Sequence, residues 1–276
     1  MRIVFAGTPA VAIPSLAAVA DRHEVVAVVT REDAPLGRKR VLTPSPVADA
    51  AERLGLDVIK ANRLREEVTE RVAALRPDLG VVVAYGGLVR EPLLSLPRLG
   101  WVNLHFSLLP RWRGAAPVQH AVIAGDTETG AAVFRLVPEL DAGDVYAEFR
   151  RPIGPDETAG ELLEALAVDG AALLADTTDA LAAGTAVAVP QEGEVTLAPK
   201  LSLGDARLDL TQPAERVYAR LRGVTPEPGA FGLLGGERFK VHAARRTSGE
   251  PPLAPGAVEA RGRRVLVGTG SDPLEL

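Results

Sequence analysis

Asn103 and His105 are the two residues of this sequence whose types and spacing best suit chemistry. They lie two residues apart in a stretch of extended character, so their side chains project to the same side of the backbone. A side-chain amide can donate a hydrogen bond to a developing oxyanion, and an imidazole that titrates near neutrality can move a proton. The pair therefore predicts a site that combines a general base with an oxyanion donor.

A carboxylate that orients or charges His105 is expected from the loop 138–144. Asp141, in Leu140-Asp-Ala-Gly143, is the first candidate, and Asp144 is the alternative. Aspartates before a glycine are common in loops, where they cap turns. A lone histidine at a strand end is likewise more often a hydrogen-bonded structural residue, so the assignment depends on the motifs Asn-x-His-x-Ser-Leu-Leu-Pro and Leu-Asp-x-Gly in which these residues occur.

The elements that must position these side chains follow a strand–helix–strand order. Residues 2–6 and 23–30 are apolar enough for strands, and residues 10–20 predict a helix between them. This βαβ unit predicts a parallel sheet, and such sheets bind ligands outside the carboxyl ends of their strands. Residues 101–104 predict the strand that leads into the site. The first turn, Gly7-Thr-Pro9, lacks the glycines of a dinucleotide-binding loop.

The sequence divides into an expected catalytic domain, 1–188, a linker, 189–204, and a small C-terminal domain, 205–276. Thr158-Ala-Gly-Glu161 has the pattern of a capping box and opens a helix that is expected to stop at Gly184. The linker lacks apolar periodicity. Short strands and the two-residue turn Gly235-Gly236 favour a small β-barrel in the last domain. The expected fold class is α/β, with a Rossmann-like, mainly parallel sheet first.

Composition excludes several kinds of site. The chain has no cysteine, which excludes disulfides, thiolate metal ligands and a cysteine nucleophile, and fits the reducing cytosol. None of its four histidines forms a metal-binding pair, so no metal is expected. No apolar run reaches the ~18 residues that a membrane-spanning helix needs. The net charge of −5 argues against a general nucleic-acid binder, although a local basic patch remains compatible with it.

Residues 103–117 read Asn-Leu-His-Phe-Ser-Leu-Leu-Pro-Arg-Trp-Arg-Gly-Ala-Ala-Pro. Together with Phe5-Ala-Gly-Thr-Pro9 and Leu140-Asp-Ala-Gly143, this stretch resembles the signature of the formyltransferases that use 10-formyltetrahydrofolate. The Arg-Trp-Arg-Gly continuation is similar to the branch of that family that acts on methionyl-tRNA. The resemblance implies Asn103, His105 and Asp141 as the catalytic trio, and an OB-like barrel in the C-terminal domain.

Folate binding is assigned, by the same resemblance, to the four residues Ser107, Leu108, Leu109 and Pro110. Physically, an apolar pair between a serine and a rigid proline can form one wall for a flat pterin while backbone groups meet its edge. Residues 82–88 are expected to form the other wall. The alternative is a packed loop without a ligand. The implied cosubstrate is 10-formyltetrahydrofolate, which would donate the formyl group without a metal.

Residues 31–43 form a long, charged segment with Pro35 and Gly37, and long irregular segments are often functional. Its basic run, Arg38, Lys39 and Arg40, could bind phosphates. The segment looks like the family's insertion loop, which holds the acceptor end of tRNA, and Arg38 matches the key basic position. The alternative is a solvated basic loop.

These observations predict a cytoplasmic, monomeric enzyme that formylates the α-amino group of methionine on initiator methionyl-tRNA, for initiation of translation. The alternatives are a nucleotide-linked amino sugar as acceptor, a hydrolase that releases formate, and a non-catalytic module that binds tRNA or folate. The basic segment argues against the sugar, and the complete trio argues against the binding module. Two departures from the family pattern are Glu227, where an aromatic residue is usual, and a C-terminal domain that is expected to be shortened.

Overall fold

The computed structural model describes the whole chain except Arg38, and of Leu234 it describes the backbone only. The described residues form two compact units, which are discontinuous in sequence. The predicted boundaries at residues 188 and 205 stay a prediction. No helix in the described part of the chain is long and apolar enough to cross a membrane. Unit 1 comprises Met1–Arg113, Gly130–Arg150 and Glu164–Thr196, and unit 2 comprises Gly114–Thr129, Arg151–Leu163 and Leu197–Leu276.

Among the described residues, nine strands precede the C-terminal region: β1 (Arg2–Gly7), β2 (Glu24–Thr30), β3 (Ala34–Leu36), β4 (Val41–Thr43), β5 (Val58–Lys60), β6 (Leu79–Val83), β7 (Trp101–His105), β8 (Glu128–Arg135) and β9 (Val145–Pro152). Seven of them form one sheet in the order β5-β2-β1-β6-β7-β8-β9. The strands from β5 to β7 are parallel, and β8 is antiparallel to β7. The predicted class, α/β with a mainly parallel sheet, is confirmed.

Six α-helices occur in the described residues: α1 (Ile13–Arg22), α2 (Pro46–Arg53), α3 (Glu66–Leu75), α4 (Pro117–Ala124), α5 (Ala159–Ala183) and α6 (Ala214–Gly223). The sequence patterns predicted to begin and end α5 are found at its two ends. Glu161 accepts hydrogen bonds from the backbone N–H and the hydroxyl of Thr158, which completes the capping box before α5. Gly184 follows α5 in the left-handed conformation, with φ of +71°.

Trp101 anchors the strand that carries the site residues. Its indole is 1% exposed and lies against Gly80 of β6, where an added Cβ would come within 2.1 Å of the ring. Only glycine therefore fits at position 80. The indole Nε1–H donates to the Leu93 carbonyl at 2.8 Å, which satisfies the one polar atom of this buried side chain. The strand that bears Asn103 and His105 is thus held in the core at its first residue.

Ser45 begins α2 as a side-chain cap. Its Oγ accepts from the Ala48 N–H at 3.0 Å and contacts the Thr30 hydroxyl at 2.6 Å, and both Ser45 and Thr30 are fully buried. Pro46 occupies the first helical position, where its missing N–H costs nothing. The Ser-Pro pair therefore fixes the start of α2 and ties it to the end of β2.

Ser45→Ala is expected to lower the free energy of unfolding by about 1 to 3 kcal/mol, because it removes the cap and leaves the buried Thr30 hydroxyl without this partner. Urea unfolding at neutral pH measures the loss. Thr30→Val, which leaves the cap in place, is the matched control and should cost less. An unchanged denaturation midpoint in Ser45→Ala would show that the cap does not stabilise α2.

Unit 2 has its own core. It contains the six strands β10 (Phe231–Leu234), β11 (Glu237–Lys240), β12 (Arg245–Arg246), β13 (Val258–Arg261), β14 (Arg264–Val267) and β15 (Leu274–Glu275). β10 pairs with β11, and the other four form a sheet in the order β12-β15-β14-β13. Gly235-Gly236 forms the predicted turn, with φ of +60° and +86°. These strands confirm a small β domain. Its closure into an OB-like barrel stays a prediction.

The helices α4 and α6 of unit 2 pack together at Gly223. A Cβ at this position would lie 2.4 Å from the Ile123 side chain and 3.0 Å from the Gln119 carbonyl, so glycine permits the close approach. Val217, Tyr218 and other apolar residues of α6 join the core of unit 2. One face of α6 is thus buried in the core of unit 2.

Some local structure differs from the sequence-based expectation. Residues 31–43 are predicted to be irregular, but Ala34–Leu36 and Val41–Thr43 pair as an antiparallel hairpin. Strands of three residues are too short to show an alternating pattern, and for the same reason β5, β12 and β15 give no sequence signal. Residues 10–20 are predicted as one helix, but Ala10–Ala12 is a 3₁₀ turn and α1 begins at Ile13.

Candidate active site

β7 presents Asn103 and His105 on one face, as their spacing predicts. Asn103 is paired with Phe134 of β8, and His105 is paired with Ala132. The His105 residue is 5% exposed, and its ring lies edge-on to Phe134 with 6.2 Å between the ring centroids. Both residues lie in the last three positions of β7, so the strand extends one residue further than the predicted end at 104.

The hydrogen bond of His105 determines its tautomer. The ring Nε2 lies 2.9 Å from the Trp112 carbonyl oxygen. A carbonyl can only accept, so Nε2 carries the proton and donates it. In the neutral ring, Nδ1 is then unprotonated and can accept a proton. Nδ1 faces the Asp141 carboxylate, with 3.9 Å between Nδ1 and Oδ2, which exceeds the length of a direct hydrogen bond.

Burial sets the protonation state of His105. Desolvation lowers the pKa of the imidazole from its ordinary value of 6.5, while the Asp141 carboxylate and the Trp112 carbonyl oppose this with smaller effects. The ring is therefore neutral at pH 7 and ready to accept a proton at Nδ1. Because the pKa is lower in the folded than in the unfolded chain, protonation of His105 favours unfolding as pH falls below 6.5.

The imidazole of His105 is expected to titrate with a midpoint below 6.5 in the folded chain, because burial outweighs the attraction of Asp141. NMR of the ring C–H resonances against pH measures this midpoint. The chain has four histidines, and the resonance that disappears in His105→Gln identifies the correct one. A midpoint at or above 6.5 would show that Asp141 dominates and that the base is charged near neutrality.

Asp141 lies in a loop whose backbone is held from two sides. The residue itself has φ of +46°, a left-handed conformation that is strained for a non-glycine residue. Two residues later, a Cβ on Gly143 would meet the Arg135 carbonyl oxygen at 1.8 Å, so the Gly of Leu140-Asp-Ala-Gly143 is required for this approach. The Gln191 side-chain amide donates to the carbonyls of both Asp141 and Gly143, at 2.8 Å each.

A cavity of about 370 Å³ opens beside Asn103 and Asp141. It is lined by the residues after β6, including Leu88 and Arg90, and by the residues of the loop after β8, including Leu140. Its walls are mostly apolar, and its polar lining residues include Asn103 and Asp141. Cavities of this size and character commonly hold small organic ligands. Asn103 and Asp141 therefore border a space that a substrate can enter.

Comparison with known proteins agrees with this geometry. The family models for formyl transferase and for its C-terminal domain match residues 1–178 and 200–276. The methionyl-tRNA formyltransferase of Leifsonia xyli is 76% identical over 276 residues, which cover 100% of this chain and 91% of the relative. The chain belongs to the methionyl-tRNA formyltransferase family. The enzyme of that name from Clavibacter michiganensis is 60% identical over 277 residues, and the match covers 100% of this chain and 91% of the relative.

A solved structure extends the likeness at the level of the fold. The N-formyltransferase from Helicobacter canadensis, in complex with folinic acid and dTDP-3-aminofucose, is similar with a TM-score of 0.76. It is 15% identical, and the match covers 100% of this chain and 98% of that one. At this level of identity the likeness shows a shared fold.

Of the four residues predicted to bind folate, three are buried: Ser107, Leu109 and Pro110. Ser107 is fully buried and donates from Oγ to the Arg111 carbonyl at 2.6 Å. Leu109 packs with Ala132 and Phe134. The described cavity is lined by Val82 and Leu88 of the second predicted wall, but its lining does not include Ser107, Leu108, Leu109 or Pro110. A folate role for these four residues of the family signature stays a prediction.

The basic segment lies on the hairpin of β3 and β4. Lys39 and Arg40 are exposed at its tip, while Arg38 lies outside the described residues. Apolar side chains flank the tip, with Leu36 63% and Leu42 67% exposed. The hairpin thus offers charged and apolar groups together. The tRNA role of all three basic residues stays a prediction.

Sequence reasoning missed two residues that contact the site loops, Gln191 and Thr196. Both lie in the stretch predicted to be a linker, and both hydrogen-bond to residues 112–113 or 141–143. The one available signal was the presence of polar residues in a segment without periodicity, which does not identify partners. In the described part of the chain, no group of three or more potential metal ligands is present.

Proposed function

We propose that the chain transfers the formyl group of 10-formyltetrahydrofolate to the α-amino group of methionine on initiator methionyl-tRNA. The observation that carries this proposal is the arrangement around His105. Its Nε2–H is engaged by the Trp112 carbonyl, which leaves Nδ1 to accept a proton beside the Asp141 carboxylate. An attacking amine needs such an acceptor, because it must lose a proton as its nitrogen bonds to the formyl carbon.

The reaction is an acyl transfer without a protein nucleophile. As the amine nitrogen attacks the formyl carbon, the carbonyl oxygen becomes an oxyanion, to which the Asn103 amide donates a hydrogen bond. His105 takes the proton of the amine at Nδ1, and Asp141 stabilises the resulting imidazolium. When the tetrahedral centre collapses, the bond between the formyl carbon and N10 of the folate breaks, and His105 returns the proton to N10.

The cavity beside the trio fits the folate cosubstrate. Apolar side chains such as Leu88 and Leu140 suit the faces of a flat heteroaromatic ring, and the backbone of the two lining loops suits its polar edge. Ser107, Leu108, Leu109 and Pro110, which the family resemblance assigns to folate binding, follow β7, and Leu109 packs on the β8 residues that pair with that strand. This assigns the pterin to the cavity of about 370 Å³.

The tRNA contact is assigned to Arg38, Lys39 and Arg40. Exposed cations at a hairpin tip can bind phosphates, and the exposed leucines beside them can pack against a base. The enzyme would act in the cytoplasm as a monomer, with a catalytic domain over residues 1–188 and a C-terminal domain over residues 205–276. Weaker tRNA affinity at higher salt is the expected signature of the phosphate contacts.

The test is a formyl-transfer assay with purified chain, 10-formyltetrahydrofolate and charged initiator methionyl-tRNA, monitored for formyl-methionine. Formation of formyl-methionyl-tRNA that disappears in His105→Ala supports the proposal. Three outcomes would overturn it: preference for a nucleotide-linked amino sugar in competition, formate release without an acceptor, and tRNA binding without any transfer. The first would change the acceptor, the second the reaction, and the third the class of protein.

A further inference from the structure

Gln191 connects two segments that flank the catalytic histidine. Its side-chain Nε2 donates to the carbonyls of Asp141 and Gly143, at 2.8 Å each. Its Oε1 accepts from Nε and Nη2 of Arg113, at 3.1 and 2.6 Å. The guanidinium can only donate and the two carbonyls can only accept, so the amide has one possible orientation. Both amide N–H groups and the amide oxygen are therefore used.

A second contact from the same stretch holds the other neighbour of His105. The Thr196 hydroxyl accepts from the Trp112 N–H at 2.9 Å, and the Thr196 carbonyl accepts from the Arg113 N–H at 2.9 Å. Trp112 supplies the carbonyl to which His105 Nε2–H donates. Residues 191–196 thus fix the partner on the Nε2 side of the imidazole through Thr196, and the partner on the Nδ1 side through Gln191.

The Asp141 loop needs such support. Asp141 adopts a left-handed φ of +46°, a backbone conformation that costs a non-glycine residue free energy and that contacts from its surroundings can hold in place. The two carbonyls that Gln191 binds belong to Asp141 itself and to Gly143, so its amide acts on both sides of Ala142. The carboxylate of Asp141 lies 3.9 Å from His105 Nδ1, and a small movement of the loop would change this distance directly.

We propose that Gln191 is a positioning residue for catalysis, which holds the Asp141 carboxylate opposite His105 Nδ1 and couples this loop to Arg113. This role rests on the proposed function, because it acts through the general base of formyl transfer. Gln191 touches no reacting atom. Its contribution is the geometry of Asp141, and a misplacement of about 1 Å in a catalytic group can cost on the order of 100-fold in rate.

Two substitutions separate the contacts of Gln191. Gln191→Ala removes all of them, whereas Gln191→Glu keeps an acceptor for Arg113 but removes the donors to the Asp141 and Gly143 carbonyls. Both are expected to lower kcat for formyl transfer by about 10- to 100-fold, with little change in KM for tRNA. Glu192→Ala, at the exposed neighbouring position, is the matched control and should retain the wild-type kcat. Thermal unfolding, followed by circular dichroism, ensures that each variant is assayed folded.

A second readout does not depend on turnover. Asp141 is the charged group that raises the pKa of His105 against the effect of burial. If Gln191→Ala lets the carboxylate move away, the pKa of His105 must fall below that of the wild-type chain. NMR titration of the His105 ring measures this shift. A substitution that only loosened the fold elsewhere would lower the unfolding temperature without moving this midpoint.

The outcomes are distinguishable. Wild-type kcat and an unmoved His105 titration in Gln191→Ala would overturn the positioning role while leaving the proposed function intact. A wild-type-like Gln191→Glu beside an impaired Gln191→Ala would also overturn it, because the Arg113 contact alone would then matter. If the wild-type chain formed no formyl-methionine, the proposed function would fail, and the NMR titration would still decide whether Gln191 positions Asp141.

Discussion

His105→Ala is expected to lower kcat for formyl transfer by about 10²- to 10⁴-fold, the usual contribution of a general base. The neutral ring offers Nδ1 to the amine because its Nε2–H is engaged by the Trp112 carbonyl. Without the ring, the imidazole that accepts the amine proton next to Asp141 is lost. Single-turnover measurement of formyl-methionine at pH 7, with saturating folate and tRNA, gives the rate of this step.

Two further substitutions make the His105 result specific. His105→Gln can still donate to the Trp112 carbonyl but offers no comparable base, so it is expected to be as impaired as His105→Ala. His242→Ala removes an exposed histidine and should leave kcat unchanged. Near-wild-type turnover in both folded His105 variants would show that another group accepts the proton, and would remove the main support for the proposed mechanism.

Asn103→Ala is expected to lower kcat by about 10²- to 10³-fold, the range observed when one oxyanion donor is removed. Asn103 borders the cavity on the same face of β7 as His105, so its amide can reach the oxygen of the attacked formyl group. The effect should appear in kcat more than in KM, because the negative charge exists only as the transition state forms. Steady-state kinetics at varied folate and tRNA concentrations separates the two constants.

Asn103→Asp gives a stricter test of the same role. The carboxylate has nearly the shape of the amide, but it cannot donate when ionised and it repels the oxyanion. It should therefore be at least as impaired as Asn103→Ala. The chain has one other asparagine, the exposed Asn62, and Asn62→Ala should keep the wild-type kcat. If Asn103→Asp were active while folded, hydrogen-bond donation by residue 103 would not be part of catalysis.

The sequence predicts those parts of the fold that depend on local signals. The capping box at Thr158 and the Gly235-Gly236 turn each involve residues a few positions apart, where side-chain chemistry determines the backbone. The same applies to Asn103 and His105, whose common face follows from strand geometry alone. The family resemblance added Asp141, which the structure places 3.9 Å from His105.

The parts that sequence reasoning could not supply are contacts over long separations. Gln191 binds the carbonyl of Asp141, which lies 50 residues away, and no local pattern specifies such a partner. The stretch around Gln191 reads as a linker because its hydrogen bonds go to other loops, and loops carry no periodicity. The packing of Leu109 against Phe134 of β8 is likewise a contact between residues distant in sequence, and the folate role of Leu109 stays a prediction.

The chain contains two tryptophans, and their surroundings make them separate optical reporters. Trp101 is buried against β6, and its indole N–H donates to the Leu93 carbonyl, so its fluorescence should follow the unfolding of unit 1. Trp112 is partly exposed, lies beneath the Arg111 guanidinium and supplies the carbonyl bound by His105. The fluorescence emission of Trp112 should change when a substrate binds at the site, so this residue would report substrate binding without any added label.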